Sequence, residues 1–122
     1  MTDTFDLGEE GFDAALTAIG NGHTVVLPTD TVYGIGADPF SADAVQKLLE
    51  AKHRGQDMPP PVLIAERSVM RALVAEVPDG AKELAKAFWP GALTLILNAQ
   101  KSVGLHVGET RGTVAIRVPD HD

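Results

Sequence analysis

With 122 residues, 44% of them hydrophobic and 22% charged, the sequence has the size and balance of one globular domain and is too short for two ordinary ones. Zero cysteines exclude disulfides and thiolate metal sites, and no apolar run approaches the ~20 residues that a membrane helix needs. The formal charge of −7 is unevenly placed: residues 1–61 carry 3 Lys/Arg and 10 Asp/Glu, whereas residues 62–122 carry 7 of each. This excludes nucleic-acid binding by bulk electrostatics, so any anion site must be built from a few local side chains.

The start, Met-Thr-Asp-Thr-Phe-Asp, is acidic and lacks the basic-then-apolar pattern of a secretory signal, so a cytoplasmic location and no membrane partner are expected. Phe12, Leu16 and Ile19 recur at helical spacing, and the spacing predicts a helix over about residues 10–20, ended by Gly20-Asn21-Gly22. Thr24–Leu27 reads as a short buried strand that stops at Pro28, which cannot donate to a ladder. A loop follows that is dense in hydroxyls (Thr29, Thr31, Tyr33), with one carboxylate (Asp30) and two glycines (Gly34, Gly36). Hydroxyls and glycines at the carboxyl end of a buried strand are what an α/β sheet offers a small polar ligand; the plainer reading is a structural turn.

Ser41 is a candidate N-cap for a second helix over about Ala42–Lys52, with Val45, Leu48 and Leu49 on its apolar face and Gly55 to close its end. Met58-Pro59-Pro60-Pro61 runs extended, and Val62–Ala65 reads as a second buried strand. Ser68 is a candidate cap for a short helix with Met70, Leu73 and Val74. Pro78-Asp79-Gly80 opens a further helix through Leu84, Ala87 and Phe88 that must stop before Pro90. Leu93–Leu97 reads as a third strand. The polar, glycine-containing chain from Ala99 to Gly112 reads as loop, a short strand near His106 being the alternative, and a β-branched strand over Thr113–Val118 then carries Arg117. Strands alternating with helices predict an α/β fold in which the Leu93 and Thr113 strands can pair antiparallel.

Lys52 and Arg54 stand at the end of the second helix. One reading is that they complement the negative helix terminus, worth about 0.3–1 kcal/mol when exposed. Residues i and i+2 do not share a helix face, so gripping one ligand would require the helix to lose α geometry at or before Arg54. Gly34-Ile35-Gly36 is not a dinucleotide fingerprint, because position 39 is proline, and no Walker-type sequence exists. His23, His53, His106 and His121 lack metal-ligand spacing, so no metal site is expected. Trp89 reads as a core or helix-end anchor.

Four ordered stretches resemble the successive motifs of the YrdC-type (YrdC/YciO-like) threonylcarbamoyl-AMP synthases. They are Pro28-Thr29-Asp30-Thr31-Val32-Tyr33-Gly34, Lys52-His53-Arg54, Trp89-Pro90-Gly91-Ala92-Leu93-Thr94 and Val114-Ala115-Ile116-Arg117-Val118-Pro119, together spanning about residues 10–120. The resemblance implies a twisted open mixed α/β sheet with helices on both faces and a deep basic cavity. It implies condensation of L-threonine, bicarbonate and ATP to threonylcarbamoyl-AMP and pyrophosphate, with Mg2+ accompanying ATP. The product would serve the tRNA-modification machinery that makes threonylcarbamoyladenosine. Carried over by motif, Lys52 and Arg54 are the catalytic pair holding phosphate and carboxylate oxygens. Thr31, Tyr33, Thr94 and Arg117 would surround the threonine and adenylate.

Two departures accompany the resemblance. Gln56, Asp57 and Met58 stand where many family members have further basic residues. The family's Ser-x-Asn, some twenty residues after the Val-Pro, would fall beyond Asp122. The chain is therefore expected to correspond to the N-terminal two thirds of one such domain, and to be inactive alone. Two other functions stay open. A carbamoyl-transferring domain of the hydrogenase-maturation type is disfavoured by the lack of cysteines, and a non-catalytic RNA-binding module by the charge of −7.

Overall fold

The computed structural model describes residues 2–108 and 111–121. Its elements run α1 (Glu9–Gly20), β1 (Val25–Leu27), β2 (Gly34–Gly36), α2 (Ala42–Ala51), β3 (Val62–Leu63), α3 (Met70–Leu73), α4 (Asp79–Phe88), β4 (Leu95–Asn98) and β5 (Thr113–Arg117). Short 3-10 turns occupy Arg67–Val69 and Lys101–Val103. The class is α/β with both parallel and antiparallel pairing, and the strands are divided between two ladders. β1 and β2 form an antiparallel hairpin, while β3, β5 and β4 form a mixed sheet with β5 in the middle. β3 is parallel to β5 and β4 antiparallel to it, the latter as the sequence allows.

Two apolar clusters underlie these ladders. The larger gathers Val62, Ile64, Met70, Leu73, Ala85, Trp89, Leu95, Val114 and Ile116 between the mixed sheet and helices α3 and α4. The smaller is Val45, Leu48 and Leu49 of α2, against Ile35 and Ala37. α2 forms as its sequence dictates: Ser41 accepts the Ala44 amide at 3.2 Å as N-cap, and the apolar stripe faces inward. α1 keeps its spacing but buries no residue, leaving Phe12 63% and Leu16 56% exposed.

Several local expectations are corrected. The Gly34–Gly36 stretch, read as loop, is strand β2, with Gly36 opposite Val25 and Gly34 opposite Leu27. A Cβ on Gly36 would stand 3.2 Å from Leu27 Cδ2, so the close pairing itself calls for glycine. β4 begins at Leu95 instead of Leu93, because the Leu93 carbonyl accepts the Trp89 indole N–H at 2.7 Å. Ser68 caps nothing: the turn starts at Arg67, and the Ser68 hydroxyl donates to Glu66. The described residues around His106 are loop, as read, and the His106 amide donates to the Pro39 carbonyl at 2.8 Å.

Candidate functional site

The hydroxyl loop is organised by Thr29. Its Oγ1 donates to the Val32 carbonyl and accepts the Val32 amide at 3.2 Å and the Thr31 amide at 3.3 Å, a local turn of the kind that threonine favours. Thr29 Oγ1 also lies 3.1 Å from Thr31 Oγ1. The single Thr29 proton is committed to Val32, so Thr31 is the donor of that pair and turns its lone pairs outward as an acceptor. Thr31 and Tyr33 are exposed, with the Tyr33 side chain standing in solvent.

Asp30 points the other way, into the structure. Its Oδ1 accepts Arg117 Nη1 at 2.6 Å, and its Oδ2 accepts the Asp120 amide at 2.9 Å. Arg117 Nη1 also donates to the Gly91 carbonyl at 2.9 Å, and the Gly91 amide donates to the Val118 carbonyl at 2.8 Å. A Cβ on Gly91 would sit 2.6 Å from the Phe88 carbonyl oxygen, so only glycine fits this turn. Both members of the ion pair are shielded, with side chains 9% and 13% exposed. The Asp120 amide, and then the Arg117 guanidinium, hold the Asp30 carboxyl below its ordinary value of 3.8 against the opposing effect of desolvation.

The basic pair lies on a different kind of turn. α2 ends at Ala51, so α geometry is lost before Arg54, as expected. The residue that ends it is His53, with φ 55, and not Gly55. The Arg54 amide reaches back to the Leu49 carbonyl at 2.9 Å and the His53 amide to Glu50 at 3.1 Å, so the left-handed residue and the reverse bonds form one helix-ending turn. α1 ends on the same pattern, with Gly22 at φ 77 and His23 bonded to Ala18. A left-handed histidine costs about 1–2 kcal/mol relative to ordinary backbone. Among the described residues, the Lys52 and Arg54 side chains are exposed and make no hydrogen bond or ion pair with one another, with Thr31 or with Tyr33. Thr94 is exposed just before β4.

The structure thus joins Asp30, Gly91 and Arg117, one from each of three motifs, and leaves Lys52, Arg54, Thr31, Tyr33 and Thr94 presented to solvent. A cavity of about 330 Å3 lies beyond the carboxyl ends of β3 and β5, lined by Ala65, Trp89, Pro90, Val118 and Asp120 among others. That is where open α/β sheets hold ligands. Among the described residues, no group of three His, Asp or Glu side chains is placed to hold a metal. No helix of the described residues is long and apolar enough to cross a membrane. The sequence reading does not single out Asp30 as the partner of Arg117. The available signal was a lone arginine in an apolar strand, which needs a buried partner.

The comparisons with known proteins agree with one another. Residues 17–122 match the Sua5/YciO/YrdC family, described as telomere recombination. The chain belongs to that family. A Mycobacterium tuberculosis relative is 48% identical over 99% of this chain and 58% of its own length. A Bacillus subtilis threonylcarbamoyl-AMP synthase is 44% identical over 99% of this chain and 35% of its own. The crystal structure of Pyrococcus abyssi Sua5 complexed with L-threonine superposes with a TM-score of 0.84 at 39% identity, covering 96% of this chain and 34% of that one. The chain therefore spans between about one third and three fifths of the length of these relatives.

Proposed function

We propose that this chain is part of an L-threonylcarbamoyladenylate synthase, a cytoplasmic nucleotidyltransferase that makes threonylcarbamoyl-AMP for tRNA threonylcarbamoyladenosine. The 122 residues correspond to between about one third and three fifths of the length of the relatives. The observation that carries this reading is the likeness, at 39% identity, to a Sua5 complexed with L-threonine, over the stretch that holds the hydroxyl loop and the Lys52-His53-Arg54 turn.

The chemistry joins three reactants. The threonine amine attacks bicarbonate carbon, and loss of water leaves a carbamate. A carbamate oxygen then attacks the α-phosphorus of ATP, the bond to the β-phosphate bridging oxygen breaks, and pyrophosphate leaves. Little covalent work falls to the protein; positioning and charge neutralisation carry the rate. Lys52 supplies a compact positive charge and Arg54 a planar fork that can take two phosphate or carboxylate oxygens at once. Thr31, turned outward as an acceptor, suits the ammonium or hydroxyl of the amino-acid substrate. Tyr33 and Thr94 add hydroxyls, and Arg117 contributes from the end of β5. Magnesium enters as part of the Mg–ATP substrate.

The test uses a polypeptide that also carries a family Ser-x-Asn segment. Lys52→Ala and Arg54→Ala each cut ATP- and threonine-dependent pyrophosphate release by two orders of magnitude or more, with the melting curve nearly unchanged. Activity that survives both changes while duplex-RNA affinity collapses would favour the binding-module reading and overturn this one.

A further inference from the structure

The hairpin-and-α2 part of the molecule and the mixed-sheet part have separate apolar clusters. Among the described residues, the polar bonds that cross between them centre on one place. Asp30, on the hydroxyl loop, receives Arg117 from the end of β5 and the Asp120 amide just beyond it, while the same Arg117 nitrogen holds the Gly91 carbonyl. The His106 amide on the Pro39 carbonyl is a further crossing. The loop is thus fixed twice: internally by Thr29, and externally by both oxygens of Asp30. With Thr29 and Asp30 turned to those tasks, Thr31 and Tyr33 carry the loop hydroxyls left exposed to a ligand.

We infer that Asp30 is a positioning residue: with Arg117 and the Asp120 amide it clasps the hydroxyl loop to the carboxyl end of β5 and so fixes where the Thr31 and Tyr33 hydroxyls stand. Arg117 enters the clasp through one guanidinium nitrogen, which leaves its other N–H donors available to a substrate. It is shielded, and its Nη1 already serves two protein oxygens. The inference rests on the threonine-binding reading for its functional consequence, and on geometry alone for the clasp.

The experiment measures amide hydrogen exchange and L-threonine titration by NMR on a polypeptide that carries residues 1–122 together with a family Ser-x-Asn segment, for wild type, Asp30→Ala, Asp30→Asn and Arg117→Gln. Asp30→Ala is expected to speed exchange at Asp120, Thr31 and Val32 at least tenfold and to weaken threonine binding by a similar factor, with α4 and β4 amides unchanged. Asp30→Asn keeps an acceptor oxygen and restores part of the protection at Asp120. Arg117→Gln loosens the same loop amides, and in the Asp30→Ala/Arg117→Gln double variant those amides exchange no faster than in either single one. An Arg117→Gln chain whose loop amides exchange as in wild type would overturn the inference, since the clasp would then not run through Arg117. Faster exchange spread evenly over every element would also overturn it, leaving a merely structural role. Loop amides that respond as expected in a chain with no threonine affinity even as wild type would support the clasp and overturn the proposed function.

Discussion

Ile116 and Ile96 offer a matched test of which face of the mixed sheet is covered. Both lie on paired strands, with Leu95 opposite Ile116 and Ile96 opposite Ala115, so they project to opposite faces. Ile116 is 0% exposed and Ile96 is 68% exposed. Isoleucine to valine keeps the β-branch and removes one methylene, so strand propensity is nearly unchanged and burial alone differs. For Ile116→Val the loss is about 1 kcal/mol, within the usual 0.5–1.5 for a buried site. An unfolding entropy of about 2.1 cal/mol/K per residue over this length converts that to a fall in Tm of about 4 °C. For Ile96→Val the expected change is within about 0.5 kcal/mol, hence about 2 °C or less. Thermal and urea melts followed by far-UV circular dichroism read both. Equal losses at the two positions would refute the assigned register. A one-residue slip of β5 exchanges its faces and carries Arg117 away from Asp30.

The other predictions concern ends, charge and surface. His53→Gly relieves a left-handed histidine, and even after the greater freedom of glycine in the unfolded chain it should stabilise by about 0.5–1 kcal/mol in a urea melt; destabilisation would mean that the His53 ring itself is held. Ser41→Ala removes the bond from the Ala44 amide and should cost about 1 kcal/mol in the same assay. Because the Asp30 pKa is depressed in the folded state, the stability it lends is fully present above 3.8 and is lost as pH falls through its lower folded value. Asp30→Asn should therefore flatten the stability-versus-pH curve below that point, and an unchanged acid limb would contradict the pairing. The chain exposes 8325 Å2, whereas a compact 12.9 kDa monomer exposes about 6,300 Å2, and the excess includes Phe12, Leu16 and Val26. Light scattering is expected to show self-association at micromolar concentration; a monodisperse, cooperatively melting monomer would count against it.

What was legible in the sequence was what local chemistry decides. Ser41 and the Val45, Leu48, Leu49 stripe specify α2 from within one helix, and the β-branched run from Thr113 specifies β5. Pro90 marks the end of α4. What was not legible depends on partners distant in sequence. β2 is two glycines around one isoleucine, with little strand propensity of its own, and exists because β1 lies beside it. β4 starts late because an indole takes the Leu93 carbonyl out of the ladder. His53 takes a left-handed position although Gly55 stands two residues on, because the bond from the Arg54 amide to Leu49 closes the helix there. The Asp30–Arg117 pair spans 87 residues of sequence, and no local pattern announces it.

Under the proposed function, the clasp also bears on how an acidic protein manages anionic substrates. In the first half of the chain only Lys47, Lys52 and Arg54 are basic, and Lys47 donates to the Gly22 carbonyl at 3.4 Å. Arg117 is shielded and neutralised by Asp30, so it adds little net field where phosphates would arrive. Among the groups that the family motifs single out, the uncommitted positive charge therefore resides in Lys52 and Arg54. Under that reading, two charges on one turn make a local anion site but not the broad basic surface on which duplex RNA binding depends, because that binding scales with the number of phosphates neutralised. Such a site would depend on placement, to which the left-handed turn at His53 and the two-sided hold on Asp30 would contribute. The same economy argues that Lys52→Ala and Arg54→Ala will not be rescued by neighbouring cations, since Gln56, Asp57 and Met58 follow where more positive charge would have been redundant.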